Sequence, residues 1–251
     1  MKRVRRATEA EVIAEFLKNE FYQEEFHHDR DRFEHLVMDP DVSDAYQNAL
    51  RRALLFRRRG HMWRELPPDT QWWEVQLDAC DLNEVFVFPR AHWRTLASGD
   101  FRLPSVVERI RARRFPAKIS DFISKIQSLS YHLRFAPSST SVLLIGTDEL
   151  HPMVIIEGNH RLTAALLNSP GVLENRFRVY FGASPRVAQS CWYRTNLPNL
   201  VRYAKNRLRH LWYDREADVE RLLPPSPEPA VVAGDLYGRP VTAGKVMPDS
   251  K

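Results

Sequence analysis

The first 66 residues carry apolar positions in a helical pattern. Thr8 and Glu11 have the spacing of a capping box, which marks a helix start. Apolar residues then recur every three or four positions, at Val12, Ile13, Phe16, Leu17 and Phe21. The pattern continues beyond Phe33, so we predict a helix over residues 7–38 that Pro40 ends.

A second helix is predicted from Ser43 to Arg59, and Gly60 follows it at the position that favours a C-terminal cap. Together the two helices define a helical N-terminal extension over residues 1–66. The basic start of the chain leads into charged helix rather than into a hydrophobic segment, so it is not read as a secretory signal.

The pattern changes after Pro67 and Pro68, where short strand-like runs alternate with helical stretches. Residues 104–114 and 118–133 have helical periodicity. Strands or short apolar runs are predicted at Trp72–Leu77, Val85–Phe88, Val142–Ile145, Met153–Ile156 and Phe177–Phe181. The third and fourth of these are separated by a loop of six or seven residues, which predicts a hairpin. We therefore expect an α+β core over residues 67–196, with a small mixed sheet and helices.

The last part of the chain is predicted to be helical and then irregular. Residues 197–223 indicate a long basic amphipathic helix, which the proline-rich residues 224–229 end. Its apolar side is predicted to carry Leu200, Val201, Leu208, Leu211, Val219 and Leu222. Residues 224–251 contain few core formers and are predicted to be a flexible tail.

Composition narrows the class of protein. The chain has 251 residues, of which 43% are hydrophobic, and no apolar run approaches the roughly 20 residues of a membrane span. Two cysteines are too few for a disulfide framework, so a reduced, cytoplasmic setting without a membrane partner is the simplest expectation. The net charge of +5, with basic clusters at 57–59 and 111–114, keeps nucleic-acid binding open as an alternative.

The segment 154–161, Val-Ile-Ile-Glu-Gly-Asn-His-Arg, combines a buried strand with the start of a helix. A helix N-terminus directs several backbone N–H groups and a partial positive charge at one place, which favours an anion such as phosphate. Gly158 permits the tight turn and Arg161 offers a planar fork for phosphate oxygens. Asn159 and His160 can donate hydrogen bonds. Glu157 is a carboxylate beside this site, which suggests a Mg²⁺ ligand or acid–base catalysis.

A strand followed by Gly-x-x-Arg and an alanine-containing helix, after a hairpin, resembles the ParB/sulfiredoxin superfamily over roughly residues 72–182. We call this Gly-x-x-Arg motif, residues 158–161, the box. In that superfamily the box holds the phosphates of a nucleotide or, in some members, nucleic acid. Sulfiredoxins place a catalytic cysteine where this chain has Asn159, so sulfinic-acid reduction is not expected. ParB proteins carry two consecutive arginines in the box, whereas this chain has His160 and Arg161.

The box is most similar to that of the free serine kinases of the superfamily, which read acidic-Gly-x-His-Arg. The resemblance implies that Gly158, Asn159, His160 and Arg161 bind ATP or ADP, with Mg²⁺ near Glu157. It also implies a catalytic glutamate after the first strand, where Glu84 stands and Asp81 is the alternative.

The sequence therefore predicts a nucleotide-dependent phosphotransferase that acts on the hydroxyl of a small molecule such as an amino acid. Glu84, Glu157 and His160 are the expected catalytic residues. Arg194 and Asn196, after the last strand, are candidates for contacting the substrate. Alternatives are a nucleic-acid-binding protein or nuclease of the ParB type, which would contact the backbone through residues 57–59 and 200–212, and a nucleotide-sensing switch.

Overall fold

The computed structural model describes residues 1–135, 140–150, 152–168, 177–211 and 215–223. Within these residues the chain forms a mixed α+β fold around a six-stranded sheet, so the predicted α+β class is confirmed. The strands are β1 Lys2–Ala7, β2 Gln71–Gln76, β3 Val85–Phe86, β4 Thr140–Gly146, β5 Met153–Glu157 and β6 Phe177–Ala183.

The helices follow the apolar periodicity of the sequence in most places. They are α1 Glu9–Glu20, α2 Arg30–Met38, α3 Ala45–Trp63, α4 Ala79–Leu82, α5 Ala91–Ala97, α6 Leu103–Arg111, α7 Ser120–Phe135, α8 Asn159–Asn168 and α9 Leu197–Leu211. The predicted capping box begins α1, because the Thr8 hydroxyl accepts from the Glu11 backbone at 3.2 Å and the Glu11 carboxylate accepts from the Thr8 backbone at 2.7 Å.

The strands lie in the order β1-β2-β6-β4-β5-β3. Strands β4 and β5 are antiparallel neighbours, which confirms the predicted hairpin, whereas β3 runs parallel to β5 with Val85 opposite Met153. Strand β4 also pairs in parallel with β6 over its whole length. Strands β4 and β5 are almost completely buried because helices cover both faces of the sheet.

Alternate residues of the central strands enter two different cores, as the two-residue period of a strand requires. Leu143 and Ile145 of β4 pack with helices α1 to α3, whereas Val142 and Leu144 pack with helices α5 to α8. The N-terminal segment thus supplies one of the two helical layers on the sheet. This packing places α1 directly against the end of β5.

Several of the predicted elements in the N-terminal extension differ from the described structure. Residues 2–7 form an edge strand, and the predicted helix over 7–38 is divided by a 3₁₀ turn at 24–29. Gly60 lies inside α3, because the helix continues to Trp63. The Trp63 ring is buried against the rings of Phe16 and Trp72.

The predicted helix over residues 197–223 ends at Leu211. A separate 3₁₀ turn at 215–217 follows, and Val219 then packs in the core with α1 to α3. The proposed apolar side is therefore divided, since Val219 is buried while Leu208 and Leu211 are exposed. The predicted tail, residues 224–251, lies outside the described residues.

Candidate functional site

A sharp strand-to-helix turn joins β5 to α8. Strand β5 ends at Glu157 and α8 begins at Asn159, so Gly158 is the one residue between them. Its backbone φ is +95°, which L side chains rarely adopt. A Cβ atom there would lie 3.0 Å from Cγ2 and 3.2 Å from Cα of Val142. The close approach of β4 and the backbone conformation therefore both require glycine.

The first turn of α8 leaves backbone N–H groups without acceptors inside the helix. The Gly158 carbonyl accepts a hydrogen bond from the backbone N–H of Leu162 at 2.8 Å, so helical bonding is established from the start of α8. The backbone N–H groups of Asn159, His160 and Arg161 precede the first residue that can donate within the helix. These groups and the helix dipole together favour a bound anion.

Glu157 and Arg161 form an ion pair across the first turn of α8. The Arg161 guanidinium donates to Glu157 Oε2, to Asn19 Oδ1 of α1 and, at 2.9 Å, to Thr140 Oγ1. The Asn19 amide donates at 2.9 Å to Glu157 Oε2 and at 2.9 Å to Ser141 Oγ. Both terminal nitrogens of Arg161 are therefore engaged within the protein, and the network connects the box to α1 and β4.

Burial determines the protonation of the Glu157 carboxyl group. Burial raises the pKa of Glu157 from 4.5 to about 7, and the negative charge of Glu20 acts in the same direction. Arg161, Asn19 and the Gly158 backbone N–H favour the charged form but offset the burial only in part. Protonated and ionised Glu157 are therefore both populated near neutral pH, which is the condition for efficient proton transfer.

Asn159 is buried, and its side chain is engaged on both sides. Its Oδ1 accepts from the Phe88 backbone N–H at 2.8 Å, and its Nδ2 donates to the Ile155 carbonyl at 3.3 Å. These contacts attach the start of α8 to the chain that follows β3. In this geometry the Asn159 side chain holds the turn in place, and its backbone N–H is one of the first-turn groups without an acceptor inside the helix.

His160 is the exposed member of the box, and aromatic rings flank it. The ring centroids of Trp93 and Phe122 lie 5.2 and 5.1 Å from that of His160, in edge-to-face arrangements. Desolvation lowers the pKa of His160, and the positive charges of Arg161 and Lys125 lower it further. The imidazole is therefore neutral near pH 7 and can donate one hydrogen bond and accept another.

The box faces a cleft of about 600 Å³ between α1 and α7. Helix α7 contributes Asp121, Phe122 and Lys125 to its wall, and α1 contributes Asn19 and Glu20. A smaller cavity of about 160 Å³ adjoins the box on the side of Arg59 and Trp93. The cleft combines the N-terminus of α8, the aromatic ring of Phe122 and the side chain of Lys125 with the carboxyl groups of Glu20, Asp121 and Glu157.

Glu84 does not lie near the box. It immediately precedes β3, and β3 is parallel to β5 with Val85 opposite Met153, the first residue of β5. Glu157 is at the other end of β5, so the backbones of Glu84 and Glu157 are separated by about 15 Å at the usual rise per residue of a strand. The predicted position of a catalytic base is therefore wrong for Glu84. Asp81 bonds to the Met1 amine at 2.6 Å and is not a substitute.

Arg194 and Asn196 lie in the turn that leads into α9. The Asn196 Oδ1 accepts from the Asn199 backbone N–H at 2.9 Å, so Asn196 caps the helix. The Arg194 carbonyl accepts from Asn199 Nδ2 at 2.7 Å, while the Arg194 side chain is exposed. Neither side chain is among those that line the cleft at the box, so the structure does not assemble the predicted substrate contacts.

Several residues at the cleft were not predicted from the sequence. Asn19 belongs to the polar side of a predicted helix, and His92, Phe122 and Lys125 belong to the long insertion between β3 and β4. Their shared location depends on helix packing over more than 100 residues of chain, for which local periodicity gives no signal. Phe122 lies four residues after Lys118, and Lys125 lies four residues after Asp121. Such spacing is also typical of a helix face that is exposed to solvent, so it does not identify a site.

No protein-family model, curated protein or solved structure matches this chain. Among the residues that the structure describes, no group of three or more His, Cys, Asp or Glu side chains is placed to hold a metal ion. No helix in the same described residues is long and apolar enough to cross a membrane.

Proposed function

We propose that this chain binds the phosphates of ATP or ADP at the N-terminus of α8 and transfers a phosphoryl group to the hydroxyl of a small molecule such as an amino acid. The observation that carries the proposal is the opening of this helix N-terminus into a cleft of about 600 Å³ that also contains Lys125. Ligand pockets for molecules of this size typically measure several hundred cubic ångströms.

The resemblance to the ParB/sulfiredoxin superfamily supports the same proposal. The Gly-x-x-Arg box follows the β4–β5 hairpin and begins α8, which is the order on which the resemblance was based. The long insertion that contains α5 to α7 closes one side of the cleft. In the proposed function this insertion therefore forms one wall of the pocket that holds the phosphates.

Phosphate recognition is assigned mainly to backbone N–H groups of residues 159–161, with His160 and Lys125 as side-chain donors. Arg161 has a different role from the one first expected, because its terminal nitrogens already bond to Glu157, Asn19 and Thr140. We assign Arg161 as a positioning residue that holds the turn and contributes positive charge. A phosphate near this turn would benefit from the charge without breaking the ion pair.

Glu157 is assigned as the proton acceptor in place of Glu84. It lines the cleft, and its pKa of about 7 matches proton transfer near neutral pH. In the proposed reaction the substrate oxygen forms a bond to the terminal phosphorus while the bond to the bridging oxygen breaks. The hydroxyl proton passes to Glu157, and the shortened nucleotide leaves.

Mg²⁺ was expected beside Glu157, but this carboxylate does not fit the role of a metal ligand. Its Oε2 atom already accepts from Arg161 and Asn19, and the positive charge of Arg161 offsets its negative charge. A divalent cation prefers ionised, accessible oxygen ligands. The proposed proton transfer therefore involves the residues of the chain alone.

The proposal is tested by the Lys125→Ala variant in calorimetric titrations with ATP and ADP. Loss of a charge-assisted contact should weaken nucleotide binding about tenfold. Lys118→Ala is the matched control, because Lys118 is an exposed lysine at the start of the same helical segment and does not line the cleft. Equal nucleotide affinities in the wild type and both variants would reject the assignment of the phosphate site.

Nucleic-acid binding through the cluster at 57–59, one part of the alternative function, is less well supported by the described residues. Arg57 and Arg58 both form ion pairs with Asp29, at 2.8 and 2.9 Å, and Arg59 pairs with Glu20 at 2.9 Å. The cluster at 57–59 is therefore largely neutralised inside the protein rather than presented to a phosphate backbone. A gel shift at low salt that disappears steeply as salt rises would restore this alternative.

A further inference from the structure

Helix α9 is attached to the rest of the protein through its polar side. Asn199 donates to the carbonyls of three residues between 188 and 194, at 3.1, 3.3 and 2.7 Å. Asn206 donates to the Glu65 carboxylate at 2.6 Å, and the Tyr203 ring lies 5.1 Å from that of Trp192. Residues 199, 203, 206 and 210 recur at helical spacing, so these contacts fix which side of α9 faces the protein.

The opposite side of α9 is apolar and faces outward. Five large aliphatic side chains of this helix are between 38% and 74% exposed: Leu197, Leu200, Val201, Leu208 and Leu211. They form one contiguous stripe along a helix of 15 residues, which is about 22 Å long. A stripe of this kind on the surface is typical of an interaction site, because the free energy falls when exposed aliphatic groups are removed from water.

The spacing of the stripe favours a helical partner. Positions 197, 201, 204, 208 and 211 alternate four- and three-residue steps, which is the pattern of a coiled-coil seam. Ala204, at the centre of the seam, permits a close approach of another helix. The seam covers about 80° of the helix circumference, which suits contact with one facing helix.

The charges beside the seam decide the chemistry of that partner. Residues 197–211 contain no Asp or Glu, and Lys205 and Arg207 occupy two of the positions that flank the seam, where Arg207 also contacts His61 Nε2 at 3.3 Å. Both of these side chains are exposed. A second copy of α9 would place like charges opposite one another, which disfavours a homodimer. A partner with acidic residues at the facing positions would satisfy both the apolar seam and its cationic borders.

We propose that α9 is a docking surface for an acidic amphipathic helix of a partner protein. The partner inserts leucine-type side chains between those of the α9 seam and places Glu or Asp opposite Lys205 and Arg207. This surface is separate from the cleft at the α8 box, whose lining includes no residue of α9.

The probe is a labelled synthetic helix of four heptads with Leu at positions a and d and Glu at positions e and g. Its binding to the full chain is measured by fluorescence anisotropy. Micromolar binding is expected, and the same peptide with Lys in place of Glu should bind at least about tenfold more weakly because of charge repulsion. Absence of binding at a peptide concentration of about 100 µM would overturn the proposal.

Substitutions on α9 locate the binding. Leu208→Glu should weaken binding of the acidic peptide by at least about tenfold, because a charge replaces an apolar contact. Lys205→Glu should weaken binding about threefold. Leu150→Glu is the matched control, since Leu150 is 90% exposed and lies outside α9, and its affinity should equal that of the wild type. A Leu208→Glu variant that binds normally would overturn the proposal.

Two other occupants give distinct results. Light scattering that shows a dimer dissolved by Leu208→Glu would assign the surface to a second copy and overturn the proposal. Co-sedimentation with vesicles that contain about 30% anionic lipid, lost in Leu208→Glu, would assign it to a lipid surface and also overturn it. A monomeric protein that does not co-sediment with vesicles and that binds the acidic peptide supports the proposal.

Discussion

Helices α8 and α9 use amphipathic sequences in opposite ways. Helix α8 buries its leucines and alanines under the sheet and presents its N-terminus to the cleft. Helix α9 buries Asn199 and leaves its leucines exposed. The difference shows that an apolar stripe predicts a helix face but does not predict whether that face meets the core or the solvent. The polar partners of a helix, here Glu65 and the carbonyls before α9, can decide its orientation.

The largest expected effect on stability is the difference between truncating a leucine of α8 and truncating a leucine of α9. Leu162 of α8 is completely buried, so Leu162→Ala should lower the free energy of unfolding by about 3 kcal/mol. Leu208 of α9 is exposed, so Leu208→Ala should change that free energy by less than about 0.5 kcal/mol. Urea denaturation of both variants measures the difference. Similar losses in the two variants would mean that the seam of α9 is packed within the chain.

The start of α8 gives the second comparison. Gly158→Ala should lower the free energy of unfolding by about 2 to 3 kcal/mol, because of the positive φ and the contact with the Val142 backbone. Gly99→Ala is the matched control, since Gly99 has a φ of +99° and open space where a Cβ would lie. It should cost about 1 kcal/mol. Equal costs would show that β4 does not constrain the turn.

The pH dependence of stability tests the protonation of Glu157, which bonds to Arg161 and Asn19 at the start of α8. Because its folded pKa is raised to about 7, the stability linked to this group is complete below pH 4.5 and is lost as the pH rises through 7. Between pH 5 and pH 8 the wild type should lose about 2 kcal/mol relative to Glu157→Gln, in which this position does not titrate. Urea denaturation at both pH values measures this loss. A constant difference between the two proteins would mean that Glu157 stays ionised throughout.

Local sequence was sufficient for most of the sheet and for the turn at the box. The apolar runs of β4 and β5 are buried on both faces, and their length and flanking glycines are visible without a structure. Strand β1 was missed because its residues are mostly charged and exposed, as in an edge strand that avoids aggregation. No apolar alternation marks such a strand.

The composition of the site was harder to predict because it depends on register and helix packing. The parallel pairing of Val85 with Met153 moves Glu84 to the far end of β5 from the box. The packing of α1 brings Asn19 to Arg161 across 142 residues of chain. Neither relationship leaves a local pattern in the sequence, whereas Gly158 does, since its turn is formed by consecutive residues.

The most direct test of the proposed phosphate site is the backbone amide NMR spectrum of the full chain during titration with ATP. The account predicts that the largest chemical-shift changes occur at Asn159, His160 and Arg161, and that Lys125 shifts with them. The amides of α9, which lies outside the cleft, should remain unchanged. Saturation with ATP that leaves residues 159–161 unchanged, or that moves only amides elsewhere, would contradict the account.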